Sequence, residues 1–206
     1  LHDIPNGEIW PYEAIMEMKN YIESFGLRWS VVESLPVSES IKYGGPDRDR
    51  LIDNYKVSLA NLGRAGVRTI CYNFMPVLDW ARTDLENPNP DGTSSLYFDQ
   101  AEFAYFDCRI LRRRGAAETY TPEILQQMEQ MAGRMTEADE KRLVENIIVK
   151  TQGFVGGNIS EEDLDPVGLF RQLLSRYDGI SREQLREGMK RFLEDIMPVC
   201  NEYDIQ

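Results

Sequence analysis

The sequence contains few of the residues on which many enzymes depend. Its 206 residues include one histidine, His2, which severely limits any histidine-based mechanism within this chain. The three cysteines are widely spaced and form no CxxC pair, a pattern typical of buried thiols in a reducing compartment. No P-loop, GxGxxG, HExxH or GxSxG motif is present. The cysteines are therefore better explained as small buried hydrophobes than as metal ligands or nucleophiles.

Basic residues and long apolar runs are scarce as well. The chain has 23 Lys and Arg against 35 Asp and Glu, a formal net charge of −12. Such an acidic chain repels the phosphate backbone of nucleic acids. No segment approaches the roughly 18 unbroken apolar residues of a membrane span. Because 42% of the residues are hydrophobic, the chain can bury a sizeable core. We expect a globular protein that binds neither nucleic acid nor membrane, and the cysteine pattern suits a cytoplasmic location.

The first 75 residues alternate between helix and strand patterns. Apolar residues spaced by three and four predict two helices that end at Gly26 and Gly66. Each helix is followed by a segment that predicts a strand, residues 27–35 and 67–74. This order is typical of parallel βα units, whose chemistry lies at the carboxyl ends of the strands. The apolar stripes consist of Ile15, Met18, Ile22 and Phe25 in the first helix, and of Leu51, Tyr55, Leu59 and Leu62 in the second.

The pattern changes from about residue 76 to residue 165. Residues 88–92 form a turn cluster, residues 122–135 and 136–150 predict helices, and no alternating strands are evident. We interpret residues 76–165 as a mostly helical insertion within one domain that spans residues 1–206.

The last quarter of the sequence predicts two further helices. Asp165 and Ser181 are candidate N-caps, and Pro198 predicts a kink or a break in the second helix. The next strand would begin after Tyr203. Counting a stub at residues 1–4, at most three strands result, whereas an eight-stranded barrel needs roughly 250 residues. The predicted fold class is therefore α/β, part of a (β/α)8 TIM barrel with a mostly helical insertion, truncated at both ends.

The segment after the second predicted strand is the richest in polar and aromatic side chains. Asn73 lies at the strand end, and Trp80 and Arg82 follow in the loop. The guanidinium of arginine matches the geometry of a carboxylate, and the flat face of tryptophan suits a sugar carbon chain. The loop at residues 2–10 carries His2 and Trp10, where the histidine is suited to proton transfer or to holding a sugar hydroxyl. A packed loop, with Arg82 paired to Asp79 or to Asp84, is the structural alternative.

Four segments together resemble the D-mannonate dehydratases. They read IPNGEIWP at residues 4–11, CYNFMPVLDWARTDL at 71–85, FAYFDCRIL at 103–111 and FLEDIMPVCNEYDIQ at 192–206. The second is long and of unusual composition, which makes the resemblance specific, and the resemblance extends in order across essentially the whole chain.

The resemblance implies a (β/α)8 barrel that removes water from D-mannonate to give 2-keto-3-deoxy-D-gluconate with Mn²⁺ or Fe²⁺. It implies substrate contact for His2, Trp10, Asn73, Trp80 and Arg82. The metal ligands and the proton-handling residues of the family lie beyond the segments matched here, so no metal ligand is carried over, and Cys200 is not the ligand cysteine of the family. We accordingly expect an isolated 206-residue chain to be inactive.

Two other functions stay open from the residues alone. A sugar isomerase or epimerase of the same barrel group would bind neutral sugars and would not need an arginine at a carboxylate. A non-catalytic, acidic, helix-rich interaction domain is the second alternative, although unclosed parallel strands would leave exposed edges. The expected partner is a small sugar acid, with a homo-oligomer as a further possibility.

Overall fold

The structure, a computed structural model, describes residues 1, 3–78, 80–151 and 165–206. These residues divide into two compact units. The first unit comprises residues 1–76 and 177–206, and the second comprises residues 77–176. The second unit spans nearly the region predicted as an insertion, while its assignment to one common domain stays a prediction.

Helices account for most of the described chain. The elements in chain order are α1 (Tyr12–Ser24), β1 (Val31–Val32), α2 (Glu39–Tyr43), α3 (Arg48–Arg64), β2 (Thr69–Ile70), β3 (Asp84–Pro88), β4 (Ser94–Tyr97), α4 (Gln100–Tyr105), a π-helical segment (Phe106–Leu111), a 3₁₀ turn (Ala116–Thr119), α5 (Pro122–Ala132), α6 (Glu137–Val144), a second π-helical segment (Glu145–Lys150), α7 (Pro166–Ser175) and α8 (Arg182–Tyr203).

The first unit contains the predicted parallel strands. In β1 and β2, Val31 lies opposite Thr69 and Val32 lies opposite Ile70. Gln206 continues this arrangement on the other side of β2, where its N–H donates to the Arg68 carbonyl at 2.7 Å and its carbonyl accepts from the Ile70 N–H at 3.0 Å. This alternating pattern is that of a parallel ladder. The expectation of a strand start after Tyr203 is therefore confirmed at its first backbone pair.

The core of the first unit forms between the strands and the helices α1, α3 and α8. Phe192 of α8 is fully buried, and its ring packs edge-on against Tyr55 of α3 with centroids 5.2 Å apart. The whole predicted stripe of α3, from Leu51 to Leu62, is buried as expected. Gly63 allows α8 to approach closely, because a Cβ atom there would lie 2.5 Å from that of Tyr203.

Several expectations for the first unit are wrong in detail. Phe25 is 66% exposed, because it follows the last turn of α1 and packs edge-on against Tyr21 at the surface. The strands are shorter than predicted because ladder pairing extends over only two residues of each. The stub at residues 1–4 forms no strand in its described residues. Helix α8 has no break at Pro198, because this residue lies on an exposed face where water can bond the carbonyl that loses its N–H partner. A kink at Pro198 stays a prediction.

The second unit contains a β-hairpin that the sequence pattern did not predict. Strands β3 and β4 pair antiparallel, with Asp84 opposite Tyr97 and Pro88 opposite Ser94. The predicted turn cluster forms its connection, where Gly92 adopts a left-handed φ of 85°. Alternation is hidden in these strands because both are polar and β4 is exposed along its length. The interpretation that residues 76–165 contain no strands of their own is therefore wrong.

The predicted N-caps Asp165 and Ser181 are confirmed. Ser181 forms a capping box with Gln184 at α8, and Thr136 forms one with Asp139 at α6. Asp165 accepts from the Gly168 N–H at the start of α7. Side chains that accept from the first free N–H groups set these helix starts locally, and for that reason the sequence predicts them well.

Candidate functional site

The loops that follow β1 and β2 begin side by side at the carboxyl ends of the two strands. The Cys71 N–H donates to the Val32 carbonyl at 2.9 Å, and the Leu35 N–H donates to the Cys71 carbonyl at 3.1 Å. Asn73 follows two residues later and is partly buried. In parallel α/β folds this end of the sheet is where ligands bind. The first unit therefore presents Asn73 at the expected edge.

Trp10 belongs to the hydrophobic core of the first unit. Its side chain is 6% exposed. Its backbone is held on both sides by α3, since its N–H donates to Ser58 Oγ at 3.0 Å and its carbonyl accepts from Asn61 Nδ2 at 2.9 Å. The Trp10 backbone is therefore fixed against α3, and little of its surface is accessible to a ligand.

A small cleft lies beside Trp10, between the loop at residues 5–10 and the segment after β1. It is lined by Pro5, Gly7, Glu8, Trp10, Leu35, Pro36, Ser38, Ile41, Leu51 and Tyr55. Burial raises the pKa of the Tyr55 phenol, so this hydroxyl stays protonated, and it donates to the Leu35 carbonyl at 3.4 Å. The cleft is therefore largely apolar and uncharged on its inner side.

The loop at residues 5–10 is held in place by two polar contacts and one glycine. Ser38 Oγ donates to Asn6 Oδ1 at 2.7 Å, and Asn54 Nδ2 donates to the Gly7 carbonyl at 2.8 Å. Gly7 has a φ of 89°, and a Cβ atom there would lie 2.6 Å from Leu51 Cδ2. The glycine of the IPNGEIWP segment is thus required for the loop to lie against α3.

Lys42 is a charged residue near the site that sequence reasoning missed. It lies in the five-residue helix α2 and is 4% exposed. Its Nζ donates to Glu39 Oε1 at 2.6 Å and to the Met75 carbonyl, in the loop after β2, at 3.0 Å. The only signal in the sequence is Glu39 three positions earlier, a spacing that is also common on solvated helices.

Trp80 and Arg82 lie together in the second unit. The Arg82 guanidinium carbon lies 4.9 Å from the centre of the Trp80 ring, and Nη1 donates to the Ala81 carbonyl at 2.7 Å. Trp80 is 41% exposed. Among the residues that the structure describes, no carboxylate lies within 4.0 Å of Arg82. The alternative in which Arg82 pairs with Asp84 is therefore wrong, and Asp79 lies outside the described residues.

The residue after Arg82 is fixed by buried polar contacts. Thr83 is completely buried, and its carbonyl accepts from Arg142 Nη1 at 3.0 Å and from Asn146 Nδ2 at 2.9 Å. Its N–H donates to the Tyr97 carbonyl at 3.0 Å. Because the backbone is held at Thr83, the exposed Trp80 side chain and the partly exposed Arg82 side chain lie next to a fixed segment.

The structure thus brings two of the predicted site residues into contact, Arg82 with Trp80. Trp10 and Asn73 both belong to the first unit. His2 lies outside the described residues. Three carboxylates that the sequence places near strand ends, Asp3, Glu8 and Glu33, are exposed.

The described residues contain no group of three or more His, Cys, Asp and Glu side chains that would hold a metal ion. The cysteines are free, and burial raises the pKa of the Cys108 and Cys200 thiols. Both therefore stay protonated at neutral pH, and a thiol is a weak metal ligand compared with a thiolate. In the same part of the chain no helix has the length and apolar character needed to cross a membrane.

Comparison with known proteins gives one consistent result. The sequence model of the D-mannonate dehydratase (UxuA) family matches residues 1–206. The mannonate dehydratase of Marinomonas sp. is 47% identical over 202 residues, which are 98% of this chain and 50% of the relative. That of Chromohalobacter salexigens is 42% identical over 206 residues, 100% of this chain and 51% of the relative.

A solved structure agrees with these sequence matches. The crystal structure of mannonate dehydratase from Streptococcus suis serotype 2 superposes with a TM-score of 0.63 at 31% identity, over 100% of this chain and 43% of that one. The chain therefore spans about half the length of the curated relatives that it matches.

Proposed function

Because this chain belongs to the D-mannonate dehydratase family, we propose that the protein is a lyase that converts D-mannonate into 2-keto-3-deoxy-D-gluconate and water. The family match over residues 1–206 carries this proposal. The protein would act in the cytoplasm, in the catabolism of hexuronates.

The first unit, in this proposal, is part of a (β/α)8 barrel, and the second unit is an insertion in it. The parallel order of β1, β2 and Gln206 supports the barrel, because consecutive strands lie side by side there. The two helices α1 and α3 each precede a strand, as the repeating unit of a barrel requires.

The reaction breaks two bonds of the substrate. A base removes the proton from the carbon next to the carboxylate, the hydroxyl on the following carbon leaves as water after it receives a proton, and the resulting enol becomes the keto acid. Negative charge builds up on the substrate carboxylate as the first proton leaves, so a cation held there stabilises the transition state.

Arg82 is the residue that we assign to the carboxylate. Its guanidinium is oriented by Trp80 and by the Ala81 carbonyl, which leaves its planar fork available for two parallel hydrogen bonds. Trp80 would pack against the carbon chain of the sugar acid, and Asn73 would hydrogen-bond a hydroxyl. Trp10 and His2 complete the proposed substrate contacts.

The described residues do not fit a metal site, because they bring no set of ligands together. Mn²⁺ or Fe²⁺ remains the cofactor that we propose for the protein, with ligands other than those described here. We assign no step of the reaction to a metal on the basis of this chain.

The proposal is tested with the protein expressed from its complete gene. After treatment with a chelator and addition of Mn²⁺ or Fe²⁺, D-mannonate should yield a 2-keto acid, which we would quantify chemically and identify by mass. The 206-residue chain alone is the control and should form no product. Conversion of a neutral aldose to a ketose, without dehydration of D-mannonate, would instead support the isomerase.

A further inference from the structure

Lys42 is a charged residue whose side chain is almost completely buried. Its side chain is 2% exposed, whereas its partner carboxylate on Glu39 is 21% exposed. Burial of an ammonium group costs several kcal/mol unless hydrogen bonds and an opposite charge compensate. An apolar residue in α2 would satisfy the surrounding core without that cost, so the contacts of Lys42 point to its role.

Those contacts join three separate segments of the first unit. Lys42 Nζ bonds Glu39 within α2 and the Met75 carbonyl after β2. Glu39 in turn accepts from the Tyr177 hydroxyl through Oε2, and the Tyr177 ring packs edge-on against Tyr43 with centroids 5.6 Å apart. The ammonium group is therefore fixed from both sides and cannot easily follow a displaced loop.

The bond to Met75 is the long-range one, since it spans 33 residues of sequence. Met75 lies two residues after Asn73 in a segment that belongs to no helix or strand. Helix or strand hydrogen bonds therefore do not fix this stretch. The Phe74 ring, which packs against Phe192, and the bond from Lys42 to the Met75 carbonyl hold it to the first unit.

Helix α8 packs closely against the backbone of Lys42 at Gly188. A Cβ atom at Gly188 would lie 3.1 Å from the Lys42 carbonyl and 3.9 Å from Phe74 Cζ. The absence of a side chain at Gly188 thus lets α8 contact both α2 and the loop after β2. Lys42 is consequently enclosed among elements that are themselves held by the core.

We infer that Lys42 is a positioning residue, which holds the loop at residues 73–76 so that Asn73 is presented at the carboxyl end of β2. This inference rests on the proposed function, because it assigns Asn73 to the substrate. Misplacement of a substrate-binding group by about 1 Å can reduce a rate by about 100-fold. The lysine itself contacts backbone and carboxylate, and it is assigned no proton transfer.

The test compares Lys42→Met with Lys42→Arg and Lys19→Met in the protein expressed from its complete gene. Methionine keeps the length of the side chain but loses the charge and the donors, and arginine keeps both. Lys19 forms an exposed pair with Glu23 on α1 and serves as the matched control. We would measure kcat and KM for D-mannonate and hydrogen exchange of the amides in residues 71–78 and in α3.

We expect Lys42→Met to lower kcat/KM by about 100-fold and to speed exchange in residues 71–78 while α3 stays protected. Lys42→Arg should restore most of the activity, and Lys19→Met should change nothing. Unchanged hydrogen exchange in residues 71–78 would overturn the inference. Hydrogen exchange that rises equally in α3 would overturn it too, because Lys42 would then act only on the stability of the whole unit.

A second variant covers the case in which Lys42→Met does not fold, and the exchange experiment covers the case in which the proposed function fails. If Lys42→Met does not fold, Tyr177→Phe removes only the hydroxyl that fixes Glu39, and it should give a smaller increase in exchange confined to residues 71–78. Absence of that increase would also overturn the inference. If the unmodified protein does not dehydrate D-mannonate, the proposed function fails, whereas the exchange experiment still decides whether Lys42 holds the loop.

Discussion

Replacing Arg82 by alanine is the sharpest test of the assigned carboxylate contact. The guanidinium is partly exposed and lies over the Trp80 ring at 4.9 Å. Thr83, the next residue, is anchored by two side-chain donors and one backbone bond. Removal of the Arg82 side chain should therefore leave the backbone in place, so that a loss of activity reports on the missing contact.

The expected loss follows from the kind of hydrogen bond involved. A hydrogen bond to a charged group contributes about 1.5–3 kcal/mol. Since about 1.36 kcal/mol corresponds to a factor of ten, Arg82→Ala should lower kcat/KM for D-mannonate by about 10- to 150-fold. Arg82→Lys keeps the charge but not the planar fork, so its loss should be smaller yet measurable.

Steady-state kinetics of the protein from its complete gene provide the assay, with Arg114→Ala, at an exposed position of the same unit, as the control. An increase in KM alone would mean that Arg82 binds substrate and transition state equally. A decrease in kcat would mean that it also stabilises the charge that develops during proton removal. A kcat/KM of Arg82→Ala within about twofold of the unmodified protein would refute the assignment of Arg82 to the carboxylate.

Two predictions concern the core of the first unit. Phe192→Ala removes a fully buried ring and should lower the free energy of unfolding by about 3–5 kcal/mol. Met189→Ala, at a 36% exposed position of the same helix, should change the free energy of unfolding by less than about 1 kcal/mol. Similar midpoints of denaturant unfolding for the two variants would contradict this packing. Gly63→Ala would place a Cβ atom 2.5 Å from that of Tyr203 and should lower the free energy of unfolding by about 1–3 kcal/mol. Gly133→Ala, with no neighbouring atom within 4 Å, should leave the stability unchanged. Equal stability of the two variants would show that α3 and α8 do not approach so closely.

The parts of the fold that were predictable are those that depend on neighbouring residues. The stripe of α3 is buried as its spacing indicates, and Ser181 caps α8 as its pairing with Gln184 indicates. The hairpin at residues 84–97 was missed because its strands show no alternation of apolar and polar residues, and its second strand is exposed along its length. Phe25 was misassigned because spacing alone does not say where a helix loses contact with the core.

The candidate site also contains residues that the sequence predicted and one that it did not. Arg82 and Trp80 are two residues apart, and residue chemistry alone was enough to single them out as candidates for binding a sugar acid. Lys42 was not predicted, because its importance comes from the Met75 carbonyl, 33 residues away. No property of the sequence around Lys42 distinguishes it from a solvated lysine on a short helix.

By itself, the sequence determined the membership in an acidic α/β sugar-acid enzyme family, the parallel βα order of the first unit and the starts of the capped helices. These features depend on composition, on local spacing and on side chains within a few residues. The tertiary structure alone decided which charges are buried. It placed Lys42 beside the loop that carries Asn73, made Trp10 part of the core and left Arg82 partly exposed over Trp80. Burial of a charge is set by contacts between distant segments, and those contacts exist only once the chain has folded.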